Sequence, residues 1–213
     1  SRFLETAIST FPAEKTMLIV WGHGSAWRGL CWDGEKKRDQ LTLPEFSTAL
    51  SSIPQLDIIF FHSCLMANIE TLYQIREEAK LVIAPEDSLI GDEVNFRRIL
   101  GKIEGEEPEE AARMIVDEYM DMGLLRRIAA RIKKLDIGLG VIDLGKLDPM
   151  VEPINALAQQ DPSLFQLDVE EFQKYNTVDL HSLAGELSKA EDEKTASAAK
   201  EIMEAVENST VYL

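Results

Sequence analysis

The sequence is short of positive charge. It carries 22 lysines and arginines against 38 aspartates and glutamates, a formal net charge of −16 and a pI near 4.6. Nucleic acid and anionic membrane both need a basic face, so this balance argues against both as partners. The acid excess reads first as solubility, with attraction for basic substrates as the sharper alternative. Cysteine is scarce too, at Cys31 and Cys64 only. Two thiols cannot build a disulfide framework, and a 213-residue chain does not need one. No apolar run approaches the ~18 residues of a membrane span. The chain opens at Ser1 without a methionine or a signal-like segment, which reads as processed or truncated, so its start does not report a compartment. With 45% apolar and 28% charged residues, what remains is a soluble globular protein.

Four apolar runs are short and unbroken: MLIVW (17–21), DIIFF (57–61), LVIAP (81–85) and LGVIDL (139–144). Unbroken runs suit strands covered on both faces, as in a parallel sheet. Helical patterns lie between them. TLPEFSTALSSI offers Thr42 as N-cap, Pro44 near the start and Glu45 three residues on, the signature of a capping box. MANIETLYQIREEAK sets Ile69, Leu72, Tyr73 and Ile75 near one face, and EEPEEAARMIVDEYMDMG starts with Pro108 and glutamates and ends at Gly123. Strand and helix therefore alternate, which predicts an α/β domain with a mostly parallel central sheet and helices on both faces. After Gly145 helices are expected at about 146–160, 164–174, 180–189 and 193–208, then a short strand in STVYL. No composition shift marks a boundary, so the chain reads as one domain, 1–213, whose 146–213 part is mostly helical. Ser1–Phe11 reads as a helix leading into the first visible strand, and the basic stretch 124–135 as a solvated helix face.

In an open parallel sheet, functional groups gather beyond the carboxyl ends of the strands. His23 follows the first run and Cys64 the second, 41 residues later, which is enough chain for a loop and one crossover helix. The two strands are then plausible neighbours, with imidazole and thiol side by side as base and nucleophile. A helix expected to begin near Leu65 would favour the thiolate. Gly24 lets backbone approach a substrate closely, and its N–H with that of Cys64 can hold the oxyanion of a tetrahedral intermediate. A lone buried cysteine is also commonly an inert small hydrophobe. The residues by themselves leave both readings open.

LIVWGHGSAWRGL, DIIFFHSCLMANIETLYQI and LVIAPEDSLIGDEVNF resemble the clostripain-like cysteine peptidases, relatives of caspases, legumains and gingipains. A weaker likeness runs on through VIDLGKLDPMVEPINALA, YNTVDLHSLAGEL and AAKEIMEAVENSTVYL, so it covers nearly the whole chain. The resemblance implies a caspase-like three-layer α/β/α fold and peptide-bond cleavage. His23 would be the base, Cys64 the nucleophile and Gly24 an oxyanion donor. It also implies a peptide or protein substrate, and a secreted or envelope setting for some relatives. Some relatives need calcium, but carboxylates are too abundant here to select ligands. The family fold begins with a further strand and helix, so an upstream segment or a second chain is expected to complete the sheet.

Family members usually carry an acidic residue two positions before the nucleophile, where it binds an arginine or lysine side chain. Here that position is His62. Residues i and i+2 of a strand share a face, so His62 is expected beside the Cys64 pocket as a substrate-binding residue. An imidazole lacks the permanent negative charge a guanidinium prefers. Asp92, in the loop after the next strand, either replaces that carboxylate or stays a surface residue. Relatives are often activated by a cut after a basic residue in the loop following the histidine, where Lys36, Lys37 and Arg38 stand; a solvated charge run is the simpler reading. Cys31 reads as a small packed residue. Two rivals stand beside the peptidase: a zinc site from His23, Cys31, His62 and Cys64, which lack paired metal spacing, and an inactive homologue serving as a binding scaffold. GLGVIDLG is not followed by a phosphate-binding loop and helix in the expected form, so a nucleotide-binding reading of it fails.

Overall fold

A computed structural model describes residues 2–33, 39–89, 94–121, 138–160, 171–172 and 177–213. Its elements fall into two compact units, Ser1–Leu144 with Val211–Leu213, and Gly145–Thr210.

The first unit is built on a five-stranded sheet. Strand β1 (Met17–Trp21) precedes the hairpin β2 (Leu30–Asp33) and β3 (Asp39–Leu41). Strands β4 (Leu56–His62), β5 (Ala79–Ala84), β6 (Gly140–Asp143) and β9 (Thr210–Tyr212) complete the sheet, in the order β1-β4-β5-β6-β9. β1, β4 and β5 are parallel, and β6 runs antiparallel to β5. The apolar run of β6 was expected to mark a parallel strand. An unbroken run reports burial on both faces, and Val141 and Ile142 are indeed buried, but it carries no information on direction.

All seven residues of β4 are buried, so the core is packed against both of its faces. Its side chains alternate between two helical layers. On one face Phe61 meets Phe46 of α2 (Leu43–Leu50) at 5.8 Å between ring centroids, with α3 (Ile69–Gln74) alongside. On the other, Phe60 meets Tyr119 of α5 (Pro108–Met120) at 6.5 Å, beside α4 (Phe96–Ile103). Phe60 and Phe61 have no exposed surface, and each contributes about 2–3 kcal/mol by burial. The three-layer arrangement expected of the sequence is therefore present. Helix α1 (Arg2–Thr10) buries none of its residues.

The local signals behave as chemistry requires. Thr42 accepts from the Glu45 amide, and the Glu45 carboxylate reaches back to the Thr42 amide at 3.0 Å. Pro108 opens α5 with Glu109 and Glu110 in its first turn. The buried Glu118 side chain ties α4 to α5 by pairing with Arg98 at 2.7 Å and with Lys102. Helix α3 is shorter than its pattern suggested. Ala79 is captured by β-pairing to Leu56, so the helix stops at Gln74 and turns give way to β5.

The second unit is helical. α6 (Val151–Ala158), α7 (Leu180–Leu187) and α8 (Glu193–Ser209) share a core of Leu157, Ala184, Leu187, Ala198, Ala199 and Ile202. Asp179 and Asp192 cap α7 and α8 by accepting from Ser182 and Thr195 amides. The helix expected at 164–174 lies largely outside the described residues, but Glu171–Phe172 forms strand β7, paired antiparallel with β8 (Thr177–Val178). Two-residue pairing has replaced helix there. Among the described residues no helix is long and apolar enough to cross a membrane.

Candidate active site

The register of the two edge-most parallel strands builds the site. Trp21 pairs with His62, and Gly22 N–H still reaches the His62 carbonyl at 3.4 Å. That pairing offset is 41 residues, the separation of His23 from Cys64, so the two residues follow adjacent strands at the same level. Gly24 then lies directly on the Cys64 turn. A Cβ at Gly24 would come within 2.1 Å of the Cys64 carbonyl oxygen, so only glycine allows this approach.

The hairpin β2–β3 fixes the histidine loop. Cys31 N–H donates to the His23 carbonyl at 2.8 Å, and Ser25 N–H to the Gly29 carbonyl at 3.0 Å. These bonds bracket an antiparallel bridge between Gly24 and Leu30. In such a pair the bracketing residues hold the ladder, and the central N–H points away from the partner strand. The Gly24 amide is thus directed off the hairpin. His23 is exposed, with its ring 6.2 Å from that of Trp32.

Cys64 is half-buried, and its Sγ accepts a hydrogen bond from the Leu89 amide at 3.3 Å. The helix expected to start near Leu65 starts at Ile69 instead. Between them runs a tight turn with Leu65 at φ +62°, which a leucine adopts only under constraint. The help a helix N-terminus would give the thiol is therefore replaced by one aimed amide. Neither this donor nor the strained Leu65 was legible in the pattern of residues. Asn68 was the one visible cue, since an asparagine before a helix marks a cap.

His62 is 5% exposed and sits among aromatic rings: Trp21 at 5.3 Å, Phe96 at 5.9 Å, Tyr119 at 6.0 Å and Phe60 at 6.2 Å. Asp92 falls outside the described residues, as do Lys36, Lys37 and Arg38. Cys31 is exposed rather than packed, and partial desolvation of its thiol raises its pKa. Among the described residues no three His, Cys, Asp or Glu side chains converge as a metal ion requires. The zinc set of His23, Cys31, His62 and Cys64 is therefore not assembled.

Helices on both faces of a largely parallel sheet, with a histidine and a cysteine level at adjacent strand ends, define the class as a caspase-like α/β fold. Solved structures agree. A secreted C11 cysteine protease from Bacteroides thetaiotaomicron, in complex with an irreversible peptide inhibitor, superposes with a TM-score of 0.71 at 20% identity, covering 99% of this chain and 60% of that one. An inactive zymogen C11 protease from Parabacteroides distasonis gives 0.70 at 17%, covering 99% and 59%. A clostripain from Bacteroides thetaiotaomicron, solved with a peptide inhibitor, gives 0.64 at 16%, covering 85% and 78%. The clostripain family model, Peptidase C11, matches residues 1–213, and the chain belongs to the clostripain family. Clostripain from Hathewaya histolytica is 26% identical over 121 residues, which is 48% of this chain and 23% of clostripain. The chain thus spans under a quarter of that curated relative and about three fifths of the first two structures.

Proposed function

We propose that this chain carries the catalytic centre of a cysteine endopeptidase working through a Cys64–His23 dyad. The observation that carries the reading is the strand register, which sets His23 level with Cys64 while Gly24 packs on the Cys64 carbonyl. Family membership supports the reaction class.

His23 takes the thiol proton, and the Cys64 sulfur attacks the scissile carbonyl carbon. The carbonyl π pair moves to oxygen, which accepts hydrogen bonds from the Gly24 and Cys64 amides. Collapse of this intermediate breaks the C–N bond, and the imidazolium gives its proton to the departing amine. The thioester left on Cys64 is then hydrolysed by water with His23 as base, which releases the new carboxylate and restores the thiol. The dyad reading invokes no third carboxylate, and the Cys31 amide fixes the main chain from which the His23 ring projects.

Residue preference turns on His62. Cleavage after basic residues needs a fixed negative charge, and the position that usually supplies it is an imidazole enclosed by four aromatic rings. The same substitution favours the second reading, a homologue that binds peptide without cutting it. The test is a peptide library varied at the residue before the scissile bond, with Cys64→Ala as control. Turnover should vanish in Cys64→Ala while its Tm stays within about 2 °C of the parent, because a half-buried thiol is exchanged for a methyl. Full activity in Cys64→Ala would sink the mechanism. Preference for arginine or lysine, lost in Asp92→Asn, assigns selection to that carboxylate; preference for other residues assigns it to His62. A parent chain that cuts nothing supports the binding scaffold.

A further inference from the structure

The turn that presents Cys64 is strained, and one side chain holds it. Leu65 sits at φ +62° although it carries a branched, buried side chain. A left-handed residue of this kind persists only when its surroundings over-determine it. Three hydrogen bonds do so. Leu65 N–H donates to the Asp87 carbonyl at 3.2 Å, and Ala67 N–H to the Pro85 carbonyl at 2.9 Å. Both are backbone bonds to the chain following β5. The third comes from a side chain: Asn68 Nδ2 donates to the Leu65 carbonyl at 2.7 Å.

Asn68 is itself anchored. Its Oδ1 accepts from the Thr71 amide and from the Thr71 hydroxyl, both at 2.9 Å, and Thr71 is fully buried. The amide group therefore works with both ends. Its oxygen is locked to the first turn of α3, and its nitrogen grips the carbonyl of the residue after the cysteine. Aspartate, serine and threonine can cap a helix equally well, but ionised aspartate has no donor, and serine and threonine carry donor and acceptor on a single oxygen rather than on two atoms. Capping alone does not explain an asparagine here.

We infer that Asn68 is a positioning residue for the Cys64 sulfur: it holds the Leu65 turn in its left-handed conformation and so keeps Sγ against the Leu89 amide. This rests on the proposed role of Cys64 as nucleophile. Asn68 touches no reacting atom. It acts through the turn, and its loss should alter the rate of the chemical step rather than the binding of substrate.

Asn68→Ser separates the two jobs, since the serine oxygen takes the place of Oδ1 at the α3 cap and leaves no atom where Nδ2 meets the Leu65 carbonyl. The expected result is a fall in kcat of roughly 10-fold or more, as for a slightly misplaced catalytic group, with KM changed less than about 2-fold. Tm should stay close to that of the parent. Unchanged kcat would overturn the inference. If kcat and Tm fall together, Thr71→Val decides, because it frees one anchor of Asn68 and leaves the helix amide capped. A smaller kcat loss at constant KM and Tm supports positioning, and no loss rejects it. Iodoacetamide labelling of Cys64, read by peptide mass spectrometry, runs in parallel without substrate. Were the parent to label at Cys64 yet cut no peptide, the peptidase reading would fall. Slower labelling of Cys64 in Asn68→Ser would still uphold the positioning role, and an equal rate would reject it.

Discussion

The two ends of the central sheet are built on opposite plans. At the amino end, charges are matched. The Asp57 carboxylate, at the start of β4, takes the Thr16 amide at 2.8 Å and Lys80 at 2.8 Å, while Lys15 pairs with Glu107 at 2.8 Å and with the Glu106 carbonyl at 3.0 Å. Lys15, Asp57, Lys80 and Glu107 line an open cleft of about 640 Å³. At the carboxyl end, strain accumulates instead. Among the described residues, the non-glycine positions with positive φ are Ala26, Cys31 and Leu65: the first two lie between His23 and the end of β2, and the third directly follows Cys64. Each left-handed residue costs about 1–2 kcal/mol. The exposed tryptophans, Trp21, Trp27 and Trp32, belong to this end as well. One end secures the strands, and the other spends stability on geometry. A mutation at the first should lower stability without touching the chemistry, and a mutation at the second should reach the site, whether or not stability falls with it.

Gly24→Ala is the hardest blow to that contrast. The new methyl would meet backbone, not a flexible side chain, since the Cys64 carbonyl oxygen lies 2.1 Å from where it must go. Either the histidine loop or the cysteine turn has to shift by an ångström or so. A displacement of that size at reacting groups lowers kcat/KM by about 10²-fold, near 2.7 kcal/mol of transition-state stabilisation. Steady-state kinetics beside a thermal melt would check it. Activity within a factor of three of the parent would mean that Gly24 does not set the site.

His62→Asp attacks the same end through burial. The imidazole is enclosed by Trp21, Phe60, Phe96 and Tyr119, and a carboxylate in its place would be ionised in an apolar setting. We expect a loss of about 2–4 kcal/mol at neutral pH, a fall in Tm of roughly 4–16 °C. Burial raises the folded pKa of such a carboxyl, so the neutral form is favoured and the deficit shrinks as pH falls below that value. Melts of both proteins between pH 4 and pH 8 would read the trend. A variant as stable as its parent at pH 7 would show that the cluster is wet enough to house a charge, and would reopen basic specificity at this position.

The sequence announced the scaffold more completely than the site. Unbroken runs such as DIIFF and LVIAP located β4 and β5 because a strand buried on both faces can hardly be written otherwise, and Thr42 with Glu45 located α2. The parallel pairing of β1 with β4 followed from topology, and with it the shared level of His23 and Cys64. Direction was not legible in β6, because burial does not encode it. Nor was the hairpin after His23, whose strands are short and partly exposed. Least legible were the contacts around Cys64. The donor to Cys64 is the backbone of Leu89, which every residue but proline possesses, and the strain sits on a leucine, where glycine would have advertised it.

The smallest expected effect tests the amino end. Asp57 is buried, which pushes its carboxyl up, but the hydrogen bond from Lys80 and that from the Thr16 amide together outweigh burial and hold it below the ordinary carboxylate range. A carboxyl whose folded pKa is lowered contributes stability that is present above its unfolded value, near 3.9, and is lost as pH falls through the folded value. Asp57→Asn keeps an oxygen for the Thr16 amide and gives up the pairing with Lys80, whose side chain is largely exposed and rehydrates readily. The loss should be about 1 kcal/mol at pH 7, or roughly 2–4 °C in Tm. In acid the two proteins should converge, because the parent then loses the charge the variant never had. Throughout, kcat should match the parent, since Asp57 lies a full strand length from Cys64. If kcat fell with Tm, the two ends of the sheet would be coupled, and the division between an anchoring end and a working end would have to be abandoned.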